Sequence, residues 1–202
     1  MKDINRLQLQ QIRSCLTQHR RTTHDIPLQW AEQDCRAAGV LIPLLRHLEQ
    51  WHVLYIRRAQ HDLDMHSGQV AFAGGKQEGH DHDLEATALR EAEEEIGIKP
   101  QDVNVLGELS SHHSISRFRI TPVVAQIPWP YPLSPDPGEV ARAFTIPLQW
   151  LADPAHHRIE QRRLDQDQAF PVVYFSEYDG EVLWGATARM TLSLLDCLGH
   201  AE

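Results

Sequence analysis

The chain has 202 residues, 42% of them hydrophobic and 23% charged, an ordinary balance for one globular domain with a proper core. It contains no apolar run long enough to cross a bilayer and no N-terminal stretch typical of a secretory signal, so neither membrane insertion nor secretion is predicted. The formal net charge of −9 argues against nucleic-acid binding, which needs a broad basic face. Metal ions and a few arginines could still bind an anionic substrate.

The cysteines and histidines give no framework of bonds or ligands. Cys15, Cys35 and Cys197 are odd in number and far apart in sequence, which predicts neither a disulfide framework nor a zinc site. This usage is typical of a reducing cytoplasm. The 13 histidines are scattered, and adjacent pairs do not face one way on a helix or a strand. Histidine is therefore not expected to hold a metal.

Hydrophobic periodicity predicts a mixture of hairpins and helices. In chain order the elements are a helix over 5–19, strands over 37–45 and 52–58, a short strand over 69–75, a helix over 84–97, strands over 103–109 and 119–127, a proline-rich loop over 128–138, a strand over 139–146, a short helix from Pro147, strands over 170–176 and 181–185, and a closing helix over 186–198. This order predicts an α+β or mixed α/β fold. A doubly wound parallel sheet would alternate more regularly.

The helix predicted over 84–97 has an unusual cluster of glutamates. Asp81 or Asp83 can cap its start, and Gly97 ends it. Its three glutamates at spacing i, i+3 and i+4 share one face, and these are Glu91, Glu94 and Glu95. Like charges at this spacing destabilise a helix by about 0.2–0.5 kcal/mol per pair, and the nearby helix C-terminus also disfavours anions. A solvated face is one interpretation. A divalent cation site completed by a phosphorylated substrate is the other.

The surroundings of this cluster favour the cation site. Arg90 precedes Glu91, and a Gly-Gly pair at 74–75 lies about one helix length upstream. The segment R-E-A-E-E-E-I-G-I (90–98) resembles the Nudix box, which reads G-x5-E-x7-R-E-U-x-E-E-x-G-U, with U a bulky apolar residue. One extra residue lies between the two halves. The acidic position of the box therefore falls on Asp81 when counted from Gly75, and on His82 when counted from Arg90.

The longer spacer and several other segments resemble the coenzyme A pyrophosphatase branch of the Nudix hydrolases. The matching segments are V-L-Y-I-R-R-A (53–59), L-D-M-H-S-G-Q-V-A-F-A-G-G (63–75), T-P-V-V (121–124), E-V-A-R-A-F-T-I-P-L (139–148) and W-G-A-T-A-R (184–189). The resemblance runs from about residue 37 to residue 198. It implies an N-terminal helical extension over 1–30 and a Nudix hydrolase domain over 31–202, folded as an α/β/α sandwich with a mixed central sheet.

The resemblance also implies roles for particular residues, with Mg²⁺ or Mn²⁺ as the cofactor. The expected catalytic residues are Arg90, Glu91, Glu94 and Glu139, the expected metal ligands are Glu91, Glu94, Glu95 and the backbone of Gly75, and the expected substrate contacts are Arg57, Arg58, His66 and Gln69. Glu139 is a candidate general base at the end of the proline-rich loop, although an exposed strand-end glutamate is an equal interpretation. Trp129 or Tyr131 could stack on a base, but packing is favoured for both. His112 and His113 are interpreted as a solvated turn.

The function implied is hydrolysis of coenzyme A or its thioesters to 3′,5′-ADP and 4′-phosphopantetheine by a cytoplasmic enzyme, with a homodimer left open. Two departures bear on the substrate, because Asp64 stands where the branch has arginine and Ala73 where it has proline. An arginine replaced by an aspartate disfavours a polyanion, unless Arg57 or Arg58 supplies the contact. The alternatives are a Nudix pyrophosphatase for NADH, ADP-ribose or dinucleoside polyphosphates, and a Nudix-like binding domain without catalysis.

Overall fold

A mixed β-sheet organises the computed structural model, which describes residues 4–18, 35–60, 67–163 and 169–199. The elements over those ranges are α1 (Leu9–Gln18), β1 (Arg36–His47), β2 (Gln50–Arg58), β3 (Val70–Ala71), β4 (Gly74–Lys76), α2 (Leu84–Ile96), β5 (Asn104–Glu108), β6 (His112–His113), β7 (Phe118–Gln126), β8 (Val140–Pro147), α3 (Leu148–Leu151), β9 (His157–Arg163), β10 (Ala169–Phe175) and α4 (Gly185–Gly199). Short 3₁₀ turns cover Ile4–Arg6, Pro100–Asp102 and Pro154–His156.

Strand β1 is the centre of the sheet, and it pairs in parallel with β7 and antiparallel with β2 and β4. Outside this core, β2 also pairs with β3 and β8, while β7 also pairs with β5 and β6. Eight strands thus join one sheet within the described ranges. Strands β9 and β10 form a separate antiparallel pair.

Helices cover both faces of this sheet, and β1 is therefore buried on both sides. Val40 and Ile42 face the cluster that contains residues of α1, α3 and α4. Leu41 faces the opposite cluster, where Ala88 and Ala92 of α2 pack. The fold is therefore the mixed α/β/α sandwich that the sequence predicted. Within the ranges that the structure describes, no helix is both long and apolar enough to span a membrane.

Most of the predicted elements are confirmed, but two errors lie near the C-terminus. The segment 181–185 is not a strand, since it pairs only through two isolated bridges, Tyr178–Glu181 and Tyr174–Trp184, and the first of these closes a tight turn. Conversely, β9 was not predicted. Its sequence, HRIEQRR, is polar at nearly every position and lacks the alternation that marks a half-buried strand.

The interpretation of His112 and His113 as a solvated turn is wrong. Both are buried, and they form β6 beside β7. The ring of His112 lies 3.1 Å from the Ser193 hydroxyl, and the backbone carbonyl of His113 accepts a hydrogen bond from Arg189. Both partners belong to α4, whose packing over this strand cannot be read from the local sequence.

The prediction from the cysteines is also wrong, because Cys15 and Cys197 form a disulfide bond that joins α1 to α4. Their Cα atoms are 5.7 Å apart although 182 residues separate them in sequence. Separation along the chain says little about distance when two helices pack on the same face of a sheet. Cys35 is free. The cysteines therefore no longer argue for a reducing compartment.

Candidate active site

Helix α2 places the glutamate cluster against the sheet, and its ends are fixed by local sequence. The Asp83 carboxylate caps the helix by accepting a hydrogen bond of 2.7 Å from the Ala86 N–H. At the other end Gly97 has a φ of 73° and donates its N–H to the carbonyls of the last turn. Because Ala88 and Ala92 are buried against the sheet, the neighbouring helical stripe directs Glu91 and Glu95 towards β4.

Glu95 is a buried carboxylate, with 3% of its side chain exposed. It accepts a hydrogen bond of 3.1 Å from the Gly74 N–H and lies 3.9 Å from the guanidinium of Arg58. Burial raises the pKa of Glu95 to about 8, and the neighbouring Glu139 and Glu91 add to the rise, while Gly74 and Arg58 oppose it. Burying a carboxylate costs free energy because its charge loses water. A cation bound to Glu95 would offset that cost.

Glu91 lies one helical turn before Glu95 and directly against Gly75. A Cβ atom at Gly75 would be 2.4 Å from Oε1 of Glu91, so any other residue at position 75 would displace this carboxylate. Burial raises the pKa of Glu91, the adjacent Arg90 lowers it, and Glu94 and Glu139 raise it further. Two carboxylates thus share one wall of the site and repel each other.

Arg90 holds this arrangement together. Its Nε and Nη2 atoms donate to the two carboxylate oxygens of Asp81, at 3.1 and 3.0 Å. Its Nη1 atom lies 2.9 Å from both Glu91 and Glu94. The Asp81–Arg90 pair raises the pKa of the guanidinium and holds the pKa of the Asp81 carboxyl well below its usual range. Arg90 is therefore a positively charged clamp between Asp81 and the glutamates.

These contacts distinguish Asp81 from His82, the two residues on which the acidic position of the Nudix box could fall. The side chain of Asp81 is buried, and it also accepts hydrogen bonds from the Thr87 hydroxyl and the Glu78 N–H. His82 is 81% exposed in its side chain and pairs only with the neighbouring Asp83 among its described contacts. The lengthened loop thus bulges at His82 and turns Asp81 inward to Arg90.

Glu139 lies near the cluster, just before β8. Its backbone carbonyl accepts a hydrogen bond of 2.7 Å from the Ala59 N–H, which ties it to the end of β2. Its side chain is exposed, yet its charge contributes to the raised pKa values of both Glu91 and Glu95. The structure thus brings Glu139 to the glutamates of α2 from a distant part of the sequence.

Without substrate, the side chains of this site provide only part of the ligands that a hard cation needs. Among the residues that the structure describes, no three Asp, Glu, His or Cys side chains converge as a ligand cluster. Glu94 points to Arg90 and is largely exposed. Mg²⁺ is usually held by one or two carboxylates together with substrate phosphates, and the pair Glu91 and Glu95 matches that requirement.

Comparison with known proteins agrees with this site. The profile of the NUDIX domain family matches residues 35–168. The chain belongs to the Nudix family of pyrophosphohydrolases. It is 42% identical over 156 residues to "Uncharacterized Nudix hydrolase NudL" of Yersinia pestis (strain Pestoides F), which covers 77% of this chain and 76% of that protein. The figures are the same for the protein of that name from Yersinia pseudotuberculosis serotype O:3 (strain YPIII).

Solved structures share the Nudix fold. A MutT/nudix family protein from Enterococcus faecalis superposes with a TM-score of 0.50 at 16% identity, covering 95% of this chain and 70% of that one. A MutT protein from Methanosarcina mazei Go1 gives a TM-score of 0.50 at 15% identity, covering 83% and 98%. Nudix hydrolases generally use divalent metal ions, which fits the carboxylates of α2.

The predicted substrate contacts of this Nudix domain fall in two places. Arg58 faces α2 and lies beside Glu95, whereas the adjacent Arg57 points to the other face of the sheet. Gln69 lines a cavity there together with Arg57. His66 and Asp64 lie outside the described residues.

Sequence reasoning missed three residues around that cavity, Arg142, Glu181 and Trp184. Glu181 is buried and accepts hydrogen bonds of 3.1 Å from both Arg57 and Arg142. Trp184 opens the matching segment W-G-A-T-A-R, which was the available signal. Trp129 and Tyr131 pack partly buried against the α2 side of the core, and the Tyr131 hydroxyl donates to Asp102. Packing was the favoured interpretation of both.

Proposed function

We propose that this Nudix enzyme hydrolyses the pyrophosphate bond of coenzyme A or its thioesters, with Mg²⁺ or Mn²⁺, to 3′,5′-ADP and 4′-phosphopantetheine. The observation that carries the chemistry is the pair Glu91 and Glu95, which lie against the Gly74-Gly75 backbone, with Glu95 buried and Glu91 partly buried. Arg58 is the basic group beside this pair. Such a site gains most from a cation and an anionic substrate that arrive together.

Each acidic residue has a distinct proposed role. Glu91, Glu94, Glu95 and the Gly75 backbone hold the divalent ions. Bound cations neutralise the pyrophosphate charge and lower the pKa of the attacking water. Arg90 keeps Glu91 and Glu94 in place, since Asp81 fixes its guanidinium from behind. Glu139, at the open side of the cluster, accepts the proton of the water as general base.

The substrate half of the proposal rests on the segments shared with the coenzyme A pyrophosphatase branch. Arg57 and Gln69, from the matching segments 53–59 and 63–75, line one cavity, and Arg58, from the first of these segments, lies beside Glu95. These contacts are available to an extended substrate that reaches both faces of β2. We expect Arg58 to bind phosphate and Arg57 to contact a more distant part of the substrate.

A second candidate keeps the chemistry and changes the substrate to NADH, ADP-ribose or a dinucleoside polyphosphate. Asp64 favours it, because a carboxylate replaces an arginine of the branch pattern. A binding domain without catalysis is disfavoured, since Arg90, Glu91, Glu94 and Glu95 are all present and Arg90 contacts both Glu91 and Glu94.

A panel assay separates these candidates. Purified protein is incubated with Mg²⁺ or Mn²⁺ and, in separate reactions, coenzyme A, acetyl-coenzyme A, NADH, ADP-ribose and diadenosine tetraphosphate, and the products are resolved by chromatography. We expect 3′,5′-ADP from the first two substrates, with no release in EDTA. Rapid cleavage of another dinucleotide while coenzyme A stays intact would reject the proposed substrate and keep the chemistry. No metal-dependent cleavage of any compound would reject both.

A further inference from the structure

The cavity lined by Arg57 and Gln69 has a volume of about 510 Å³ and lies on the face of β2 opposite the carboxylates, and we name it the Trp184 pocket. It is lined by Arg57, Gln60, Gln69, Glu181, Val182 and Trp184, among others. Its volume falls in the usual range for sites that hold a small molecule or part of one, about 300–1,000 Å³.

The pocket and the carboxylate site share the same two strand ends. Arg57 lines the pocket, and the next residue, Arg58, reaches Glu95 on the opposite face of β2. The Arg58 N–H also donates to the carbonyl of Gln69, which lines the pocket from the other strand. A substrate whose pyrophosphate lies at the glutamates can therefore extend around these two strand ends into the pocket.

The charges of the pocket disfavour a phosphate. Arg57 and Glu181 are the charged residues of the described lining, and they bond to each other at 3.1 Å. Arg142 donates to the same Glu181 oxygen from outside the lining, and it is also held by the Asp179 carbonyl and carboxylate. These guanidinium groups are already paired with carboxylates, so little positive charge is left for an anion.

The remaining lining suits an uncharged chain that carries amides. Gln60 and Gln69 provide amide groups, whose N–H and C=O can each bond to an amide. Val182 and Trp184 provide apolar surface that is exposed to solvent in the free protein. Trp184 is held in position because it stacks on Tyr174 at 6.0 Å with the rings nearly parallel.

Arg142 and Glu181 also hold the outer wall of the pocket in place. The wall is a tight turn over 178–181 whose ends bond to each other through two backbone hydrogen bonds, at 2.9 and 3.0 Å. The guanidinium of Arg142 grips this turn from β8 at Asp179 and Glu181. The wall is thus prebuilt, which reduces the entropy lost when a flexible chain binds against it.

We propose that the Trp184 pocket receives the uncharged, amide-bearing arm of the substrate, which in coenzyme A is pantetheine. This inference rests on the proposed function, because it assigns the part of that substrate beyond the pyrophosphate. The nucleotide half then lies on the other side of the glutamates. The pocket therefore raises the affinity for substrates that carry such an arm, and it adds no affinity for substrates that lack it.

Val182 provides the sharpest test, because its side chain is exposed and lies at the pocket. Val182→Arg should fill the pocket without disturbing the core, and Ile159→Arg is a matched control on β9. The two residues are 44% and 48% exposed, both are β-branched, and Ile159 is not part of the lining. Thermal melting of both variants verifies that the fold is retained.

Binding of pantetheine and of 3′,5′-ADP is measured separately by titration calorimetry with Mg²⁺ present. We expect Val182→Arg to weaken pantetheine binding by about 30-fold, the loss typical of an anchoring contact, and to leave 3′,5′-ADP binding unchanged. Ile159→Arg should change neither. In steady state the KM for coenzyme A should rise in Val182→Arg, while kcat changes little.

Three results would overturn the assignment: no pantetheine binding by the wild-type protein, equal binding by Val182→Arg, or a selective loss of 3′,5′-ADP binding. These titrations need no turnover. A protein that binds pantetheine in this pocket but hydrolyses nothing would refute the proposed function and leave the pocket standing. If the protein hydrolyses coenzyme A but the wild type and Val182→Arg bind pantetheine equally, the pocket assignment is refuted and the proposed function stands.

Discussion

Gly75 and Glu91 are in such close contact that a Cβ atom at Gly75 would lie 2.4 Å from the Glu91 carboxylate. The contact joins strand β4 to helix α2 at the point where the predicted ligands meet. It makes the position of the Glu91 carboxylate sensitive to one methyl group at residue 75.

Gly75→Ala should therefore displace the Glu91 carboxylate and lower kcat/KM by about 100-fold, the usual effect of a misplacement of about 1 Å. Gly79→Ala is the control, since a Cβ there would meet nothing within 4 Å. Steady-state kinetics on the cleaved substrate, with circular dichroism to verify folding, provides the measurement. Equal activity in both variants would show that the Glu91 position is not important.

The buried carboxylate of Glu95 should connect metal binding to stability. We expect Mg²⁺ or Mn²⁺ at about 100 times its dissociation constant to raise the unfolding free energy of the wild type by about 2.7 kcal/mol. Glu95→Gln should lose most of this gain, because it removes a ligand charge. Glu93→Gln, on the exposed side of the same helix, should keep it. Thermal melting with and without EDTA measures the effect, and an unchanged metal response in Glu95→Gln would argue against a metal at this carboxylate.

The Asp81–Arg90 pair should make a large contribution to stability. Asp81→Asn leaves the partly buried guanidinium of Arg90 paired with Glu91 and Glu94 alone, and we expect the free energy of unfolding at pH 7 to fall by about 2 kcal/mol, the usual loss for hydrogen bonds between charged groups. His82→Asn, at the exposed neighbouring position, should change it little. Urea denaturation of both variants tests this difference.

The contribution of the Asp81–Arg90 pair to the free energy of unfolding should depend on pH, because the pKa of Asp81 is lower in the folded state than in the unfolded one. Its contribution is therefore complete above the unfolded pKa, about 3.9, and it is lost as the pH falls further towards the folded value. The wild type should lose more stability than Asp81→Asn over that range. Parallel curves for the two proteins would mean that Asp81 is not held as a carboxylate by Arg90.

Much of this site was predictable because it depends on local sequence. The caps at Asp83 and Gly97 fix the bounds of α2, and helical spacing then fixes which glutamates share a face. The Asp81–His82 ambiguity could not be resolved in this way, since both residues lie in a loop and only the contact with Arg90 distinguishes them. The predicted division at residue 30 lies outside the described residues and stays a prediction.

Contacts between distant segments account for what the sequence did not reveal. Glu139 and Glu95 are far apart in the chain, and two long-range contacts bring them together: the pairing of β8 with β2, and the hydrogen bond of 2.9 Å from the Asp136 N–H to the Glu95 carbonyl. The burial of His112 by α4 and of Glu181 by two arginines has the same origin. Polar residues of this kind carry no hydrophobic period, so pattern analysis assigns them to the surface.

The Cys15–Cys197 bond is another such contact, and it makes a prediction of its own. Cys15→Ser should lower the free energy of unfolding by about 2–4 kcal/mol, because the bond closes a very long loop in the unfolded chain. Cys35→Ser, at the free cysteine, should not. The wild type in reducing agent should unfold like Cys15→Ser. Identical urea curves for oxidised wild type and Cys15→Ser would contradict a stabilising bond.

Metal-dependent hydrolysis of coenzyme A by the wild type, Glu91→Gln and Glu93→Gln shows whether the glutamates of α2 form the reaction centre. Release of 3′,5′-ADP is followed by chromatography with Mg²⁺ and with EDTA. We predict release by the wild type and Glu93→Gln that EDTA stops, and a loss of about 100-fold or more in Glu91→Gln, which corresponds to several kcal/mol of transition-state stabilisation. Equal release by Glu91→Gln and the wild type would show that the glutamates of α2 do not form the reaction centre.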